Sequence, residues 1–272
     1  MKDGFITGVS DYDYHRLPGI SPTRARNMLT SPRAYRAACD EQFEPTDEMK
    51  LGTAVHIAAL EPATFHSRVV EYRGTRTGKA WEQFKADNSD KLILSPSYYE
   101  RAFGCLNGLR DHAAIRAALD PAGRTEIAMA WTSDNGTRCR GKMDYVHTRI
   151  IDVKTASAID DRSIIRSVVD LAYHMQLAAY RDGYRRLTGD TLDTALVFVE
   201  TRAPFDARIV RVEGPELERG LELWNQCLDR IRECEESGEW PGISTVETTL
   251  VLPERAMGEV HELGLTLNGE SL

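Results

Sequence analysis

Two neighbouring stretches decide the reading: Gly141-Lys142-Met143-Asp144 and Ile150-Ile151-Asp152-Val153-Lys154. Both read as strands. Side chains two apart on a strand share a face, so Asp152 and Lys154 point one way and Val153 points into the opposite layer. Asp144 falls near the end of the preceding strand, where a tight meander brings it beside Asp152. Two carboxylates facing one point suit a hard cation such as Mg²⁺ or Mn²⁺. A lysine beside them can hold a water or stabilise developing negative charge, which are the parts needed for metal-assisted phosphodiester hydrolysis. An Asp-x-Lys pair on a solvated sheet face is the plain alternative. Ile150, Ile151 and Val153 argue for a central strand, on which charged side chains must line a cleft or be paired.

Outward from this point the pattern stays legible. Thr125–Trp131 alternates as a strand, Ser133–Gly136 is a turn signal, and Thr137–His147 is the next strand. A long helix is expected over Asp160–Leu187, strands over Thr194–Glu200 and Ala207–Val212, and an amphipathic helix over Pro215–Glu236. Upstream, Ser21-Pro22 and Ser31-Pro32 open two short helices. Lys50–Leu60 is a strong helix, Arg73–Lys79 a loop, and helices follow over Ala80–Ala86, Pro96–Asp111 and Ala113–Leu119. Met1–Gly19 has little periodicity and reads as an extended arm. The expected organisation is an arm over 1–20, one α/β domain over 21–243 and an extension over 244–272.

The 272 residues include 42 acidic and 34 basic ones, for a net charge of −8. All of the excess lies from Thr201 onward, where 7 basic residues face 15 acidic ones. That balance disfavours nonspecific coating of nucleic acid, yet permits an enzyme that grips it locally. The five cysteines have no CxxC spacing, which speaks against zinc, an iron–sulfur cluster or a disulfide scaffold and suits a reducing cytoplasm. No apolar run is long enough for a membrane helix, and the start shows no secretory leader. GxxxxGK[ST], GxSxG and HExxH are absent from the sequence, so nucleotide-driven unwinding and the common hydrolase motifs are not expected.

Three other features bear on chemistry. His56 lies four residues after Gly52 on a small-residue helix; it is either a satisfied core histidine or a neutral imidazole ligand. The helical glycine suggests that something approaches closely there. Gln176 and Tyr180 share a helix face, either as a buried tyrosine with its hydrogen-bond partner or as a pair that orients a phosphate or a metal-bound water. Arg138, Arg140 and Lys142 alternate on one strand face and contact either solvent or phosphates, and Arg24 and Arg26 add a local basic patch.

The ordered set Gly52-x-x-x-His56, Asp144, Asp152-x-Lys154 and Gln176-x-x-x-Tyr180 resembles the RecB-like branch of the PD-(D/E)XK nucleases, above all the RecE-type (exonuclease VIII) exonucleases of phages and prophages. Ser21-Pro22, Ser31-Pro32-x-x-Tyr35 and Trp240-Pro241-Gly242 extend the resemblance over roughly residues 18–243. It implies a central mixed sheet flanked by helices. It implies that His56, Asp144, Asp152 and the Val153 carbonyl bind Mg²⁺, with Mn²⁺ as the alternative, that Lys154 activates water, and that Gln176 and Tyr180 shape the site. Glu126 resembles an acidic position found near such sites and is grouped here with the DNA-contacting residues. The implied activity is a 5′→3′ exodeoxyribonuclease on double-stranded DNA ends, acting beside a RecT-type annealing protein, with a ring-shaped homo-oligomer as a further implication. An endonuclease of the same fold and an inactive DNA-binding or assembly protein are the competing expectations.

Overall fold

The computed structural model describes residues 2–40, 45–244 and 246–251, and the backbone of 266–267 and 270–271. Most of the expected C-terminal extension therefore lies outside the described residues. Six strands form one mixed sheet in chain order: β1 (Gly4–Ile6), β2 (Arg124–Thr132), β3 (Arg138–Val146), β4 (Arg149–Ala156), β5 (Asp193–Glu200) and β6 (Ala207–Arg211). Neighbours are antiparallel except β4 and β5, which are parallel and so require a crossover. Helices α3 (Asp161–Asp170) and α4 (Tyr173–Thr188) supply it.

The sheet separates two buried layers. On one face Met129, Trp131, Met143, Ile150, Leu196 and Phe198 pack with α4 and with α5 (Pro215–Ser237). On the other, Ile151, Val153, Ala195, Val197 and Val199 pack with α1 (Asp47–Leu60) and α2 (Pro96–Asp111). Adjacent β4 and β5 residues alternate between the layers, and both faces are covered. This explains why their sequences read as near-continuous apolar runs.

Three expectations change. The N-terminal stretch is not an extended arm. Gly4–Ile6 pairs with Ala128–Ala130 of β2, a short helix over Asp11–Arg16 follows, and Ile20 bridges to Cys139. The long helix expected over Asp160–Leu187 is two helices, broken at Ala172, which has a left-handed φ of 50°. No glycine or proline marks that break. Buried Ala172 adopts the disfavoured conformation because its surroundings hold it. Finally, Val69–Glu71 and Leu92–Leu94 form a small parallel pair that the sequence pattern does not reveal.

Candidate active site

The site lies where the sheet comes apart. β3 and β4 pair only at Tyr145–Ile151 and Val146–Ile150. Beyond that point the Val153 N–H, a potential ladder donor, instead donates to Asp144 Oδ2 at 2.7 Å. β3 also changes face here: Met143 packs in the α4 layer and Tyr145 in the α1 layer, although regular strand geometry would give both one face. On β2, the register Thr125–Tyr145 and Ile127–Met143 sets Glu126 opposite Asp144. Glu126 itself has φ 54°, a strained value for a residue with a Cβ. The distortion opens a seam that side chains reach from both layers.

From the α1 layer, His56 Nδ1 approaches Asp144 Oδ1 at 3.5 Å and Glu126 Oε1 at 4.0 Å. One ligand atom from each of His56, Glu126 and Asp144 lies within 4.8 Å of the other two. From the other layer, Asp152 and Lys154 project from β4 toward α4. Lys154 Nζ lies 2.5 Å from Asp152 Oδ2 and donates to Gln176 Oε1 at 2.9 Å. Gln176 Nε2 donates to Asp152 Oδ1 at 3.2 Å and to the Tyr180 hydroxyl at 2.9 Å. The Lys154 ammonium also sits 4.3 Å from the centre of the Tyr173 ring, a cation–π contact. Gly141 makes room for this arrangement, because a Cβ there would fall 2.8 Å from the Tyr180 ring.

Electrostatics follow from burial and crowding. Asp144 is 6% exposed and Asp152 2% exposed. Burial, reinforced by the Asp152 charge, pushes the Asp144 carboxyl up to about 7, against the pull of His56 and Lys154. For His56, burial works downward, but Asp144, Glu126 and Asp152 outweigh it and raise the imidazole to about 9. Burial likewise opposes the charged Lys154, and Asp152 and Asp144 overcome it, so its ammonium is held above the ordinary lysine value. Burial keeps the Tyr180 phenol well above its usual range. Carboxylates set directly across a ladder repel each other. Glu126 and Asp144, on neighbouring strands, are crowded in a similar way, and His56 and Lys142 bring compensating positive charge to them.

The donor set fits a divalent cation. Two carboxylates and an imidazole converge from three different elements, and hard oxygen donors predominate, as Mg²⁺ and Mn²⁺ prefer. The structure changes the expected membership. Glu126, grouped with the DNA-contacting residues, joins His56 and Asp144 in the donor cluster. Asp152 is turned toward Lys154 and Gln176, and Val153 reaches the site through its N–H. The expected turn over Ser133–Gly136 would pair Thr132 with Thr137 and residue 126 with 143; the observed Thr132–Arg138 register is one residue longer in the loop and sets Glu126 opposite Asp144 instead. Tyr173, missed in the sequence, lies one turn before Gln176 on the same helix.

The basic residues of β3 are not displayed as a phosphate-contacting row. Arg140 is 2% exposed and donates to the carbonyls of Tyr14 and His15. Arg138 pairs with Asp3, and Lys142 pairs with Glu126. Alternation put these side chains on one face as expected, but the N-terminal residues and Glu126 engage them there. Arg24 is half-buried, and Arg26 donates to the Leu171 carbonyl at 3.4 Å. Gly52 meets no close approach: a Cβ there would face open space, one turn from His56.

A family model described as a PDDEXK-like domain of unknown function, DUF3799, matches residues 21–247. None of the curated proteins matches the chain. Among solved structures, a candidate exonuclease of Eubacterium rectale superposes with a TM-score of 0.64 at 15% identity, covering 91% of this chain and 96% of that one. A phage-related exonuclease of Haemophilus somnus gives a TM-score of 0.35 at 11% identity over 84% of this chain and all of that one. The mixed sheet flanked by helices that the motifs implied is thus the observed fold. No described helix is long and apolar enough to cross a membrane.

Proposed function

Since this chain belongs to the PDDEXK-like DUF3799 family, we propose that it is a metal-dependent deoxyribonuclease that degrades linear double-stranded DNA from its ends. One observation carries the reading: the His56–Glu126–Asp144 donor cluster abuts a half-buried lysine fixed by Asp152, Gln176 and Tyr173. A half-buried lysine among carboxylates is a group held ready for charge that develops during reaction. A divalent cation bound by His56, Glu126 and Asp144 would polarise a phosphate oxygen and lower the pKa of its water. Lys154 stays protonated and stabilises negative charge accumulating on the phosphorane oxygens. Asp152 orients Lys154, and its charge acts on both His56 and Asp144. Gln176 ties Lys154, Asp152 and Tyr180 into one rigid unit, so little reorganisation is needed when substrate arrives.

Resemblance to RecE-type exonucleases supports three finer parts of the proposal: 5′→3′ polarity, Mg²⁺ as the working ion, and a role in recombination by single-strand annealing beside a RecT-type protein. Ring assembly belongs to the same proposal; a monomer by light scattering would remove it. The central test incubates purified protein with linear and covalently closed circular duplexes, in Mg²⁺, Mn²⁺ or EDTA. Loss of the linear DNA alone, requiring the metal, is expected. Digestion of the closed circle would replace the proposal with an endonuclease. No digestion in either metal, with DNA binding retained, would leave a binding or assembly protein.

A further inference from the structure

The family match begins at residue 21, yet residues 2–20 are built into the sheet beside the metal cluster. Asp3 pairs with Arg138, and Gly4–Ile6 extends the sheet along β2. Ile20 exchanges two backbone hydrogen bonds across Cys139: its N–H donates to the Arg138 carbonyl, and its carbonyl accepts from the Arg140 N–H, both at 2.9 Å. Between these anchors the helix Asp11–Arg16 presents the buried aromatic side chain of Tyr14, 7% exposed. Ser10 caps that helix by accepting from the Asp13 N–H.

Tyr14 stands over the basic face of β3. The Arg140 guanidinium lies 5.1 Å from its ring centre and also donates to its carbonyl. The Lys142 ammonium lies 5.8 Å from the same ring. Lys142 in turn pairs with Glu126, the residue held at φ 54° opposite Asp144 and 4.0 Å from His56. The chain of contacts is therefore Tyr14, Lys142, Glu126, then His56 and Asp144. A long lysine side chain left alone samples many rotamers, and an aromatic face on one side with a carboxylate on the other restricts it.

We infer that Tyr14 is a positioning residue for the metal site: through Lys142 it fixes the Glu126 carboxylate as a ligand, so the segment before residue 21 is part of the functional unit. The inference rests on the proposed metal-dependent function. Groups behind a metal ligand typically change metal affinity by about 10–100-fold when removed.

The experiment measures Mn²⁺ binding to the full chain by isothermal titration calorimetry, with thermal melting as the check on folding. Tyr14→Ala and Lys142→Met should each weaken Mn²⁺ binding about tenfold. Tyr14→Phe, which keeps the ring, and Lys142→Arg, which keeps the charge, should restore most of the affinity. Equal affinity in Tyr14→Ala and the unaltered protein overturns the inference, as does an equal loss in the Phe and Ala variants. Should Tyr14→Ala fail to fold, the Lys142→Met and Lys142→Arg pair decides by the same criterion. An Asp144→Asn control separates the two levels. Mn²⁺ binding that Asp144→Asn abolishes and Tyr14→Ala leaves intact removes the positioning role alone. Absence of any Asp144-dependent binding removes the metal reading and this inference with it.

Discussion

Two buried acidic clusters sit on α4 and the strands beside it, and they are built on opposite principles. Asp182 is 6% exposed, as is Asp144. Asp182 accepts from Arg185 at 2.8 Å and from Arg186 at 2.6 Å, and Arg186 also forks onto Asp134 at 2.9 and 2.8 Å. Charges there are matched within one to two turns of helix and one neighbouring turn. At the seam, three carboxylates (Glu126, Asp144 and Asp152) crowd two lysines and one histidine, and two of the acids, Glu126 and Asp144, share His56 as a neighbour. The first arrangement closes a structure. The second gathers acids from three adjacent strands around a protonated histidine, whose charge a bound cation would replace, which is a mark of function rather than of stability.

The largest effect should come from the crowded cluster. Asp152→Ala or Lys154→Ala should lower DNA hydrolysis by roughly 10³-fold, in line with the loss of a positioned charge-stabilising group, in protein that remains folded at the assay temperature. Gel assays on linear duplex beside calorimetric melts check this. Activity within tenfold of the unaltered protein would dissolve the contrast between the clusters.

The balanced cluster should respond the other way. Asp182→Ala should destabilise the fold by about 2 kcal/mol, because Arg185 and Arg186 lose the buried carboxylate they share, while hydrolysis well below the melting temperature is retained. Asp144→Asn keeps an acceptor for the Val153 N–H and relieves repulsion, so its metal-free melting temperature should equal or exceed that of the unaltered protein.

Protons compete with the cation, which sharpens the comparison. Asp144, raised to about 7, and His56, raised to about 9, both hold protons near neutrality and must release them to bind metal. Mn²⁺ affinity should therefore rise with pH, about tenfold between pH 7 and pH 8 for roughly one proton released. Calorimetry in two buffers of different ionisation enthalpy reads that proton count directly. A pH-independent affinity would mean that neither group is a ligand. The smallest effect is expected from Tyr180→Phe. It removes one acceptor from Gln176 and leaves the bond to Asp152, costing about 1 kcal/mol or fewer than tenfold in rate.

Much of this was legible in the chain. Period-two alternation and the apolar run around Asp152 gave β4 as a central strand, and the face shared by Asp152 and Lys154 followed from strand geometry alone. The helix-face pairing of Gln176 with Tyr180 held as a hydrogen bond. The break at Ala172 was not legible, because an alanine held at positive φ has no sequence signature and is imposed by packing. The fate of Arg138, Arg140 and Lys142 was not legible either: alternation tells which way a side chain points, not what a distant segment will place in front of it.

Local chemistry therefore determined the strands, most helices and the residue types able to handle a metal and a phosphate. Tertiary structure alone decided that β3 and β4 part after two paired residues and that Glu126 turns in beside His56. It also decided that Tyr14 closes over the basic face of the sheet. Those outcomes depend on contacts across more than a hundred residues, such as Tyr14 with Arg140. The free energy of such contacts comes from burial shared between segments, which no single stretch of sequence carries.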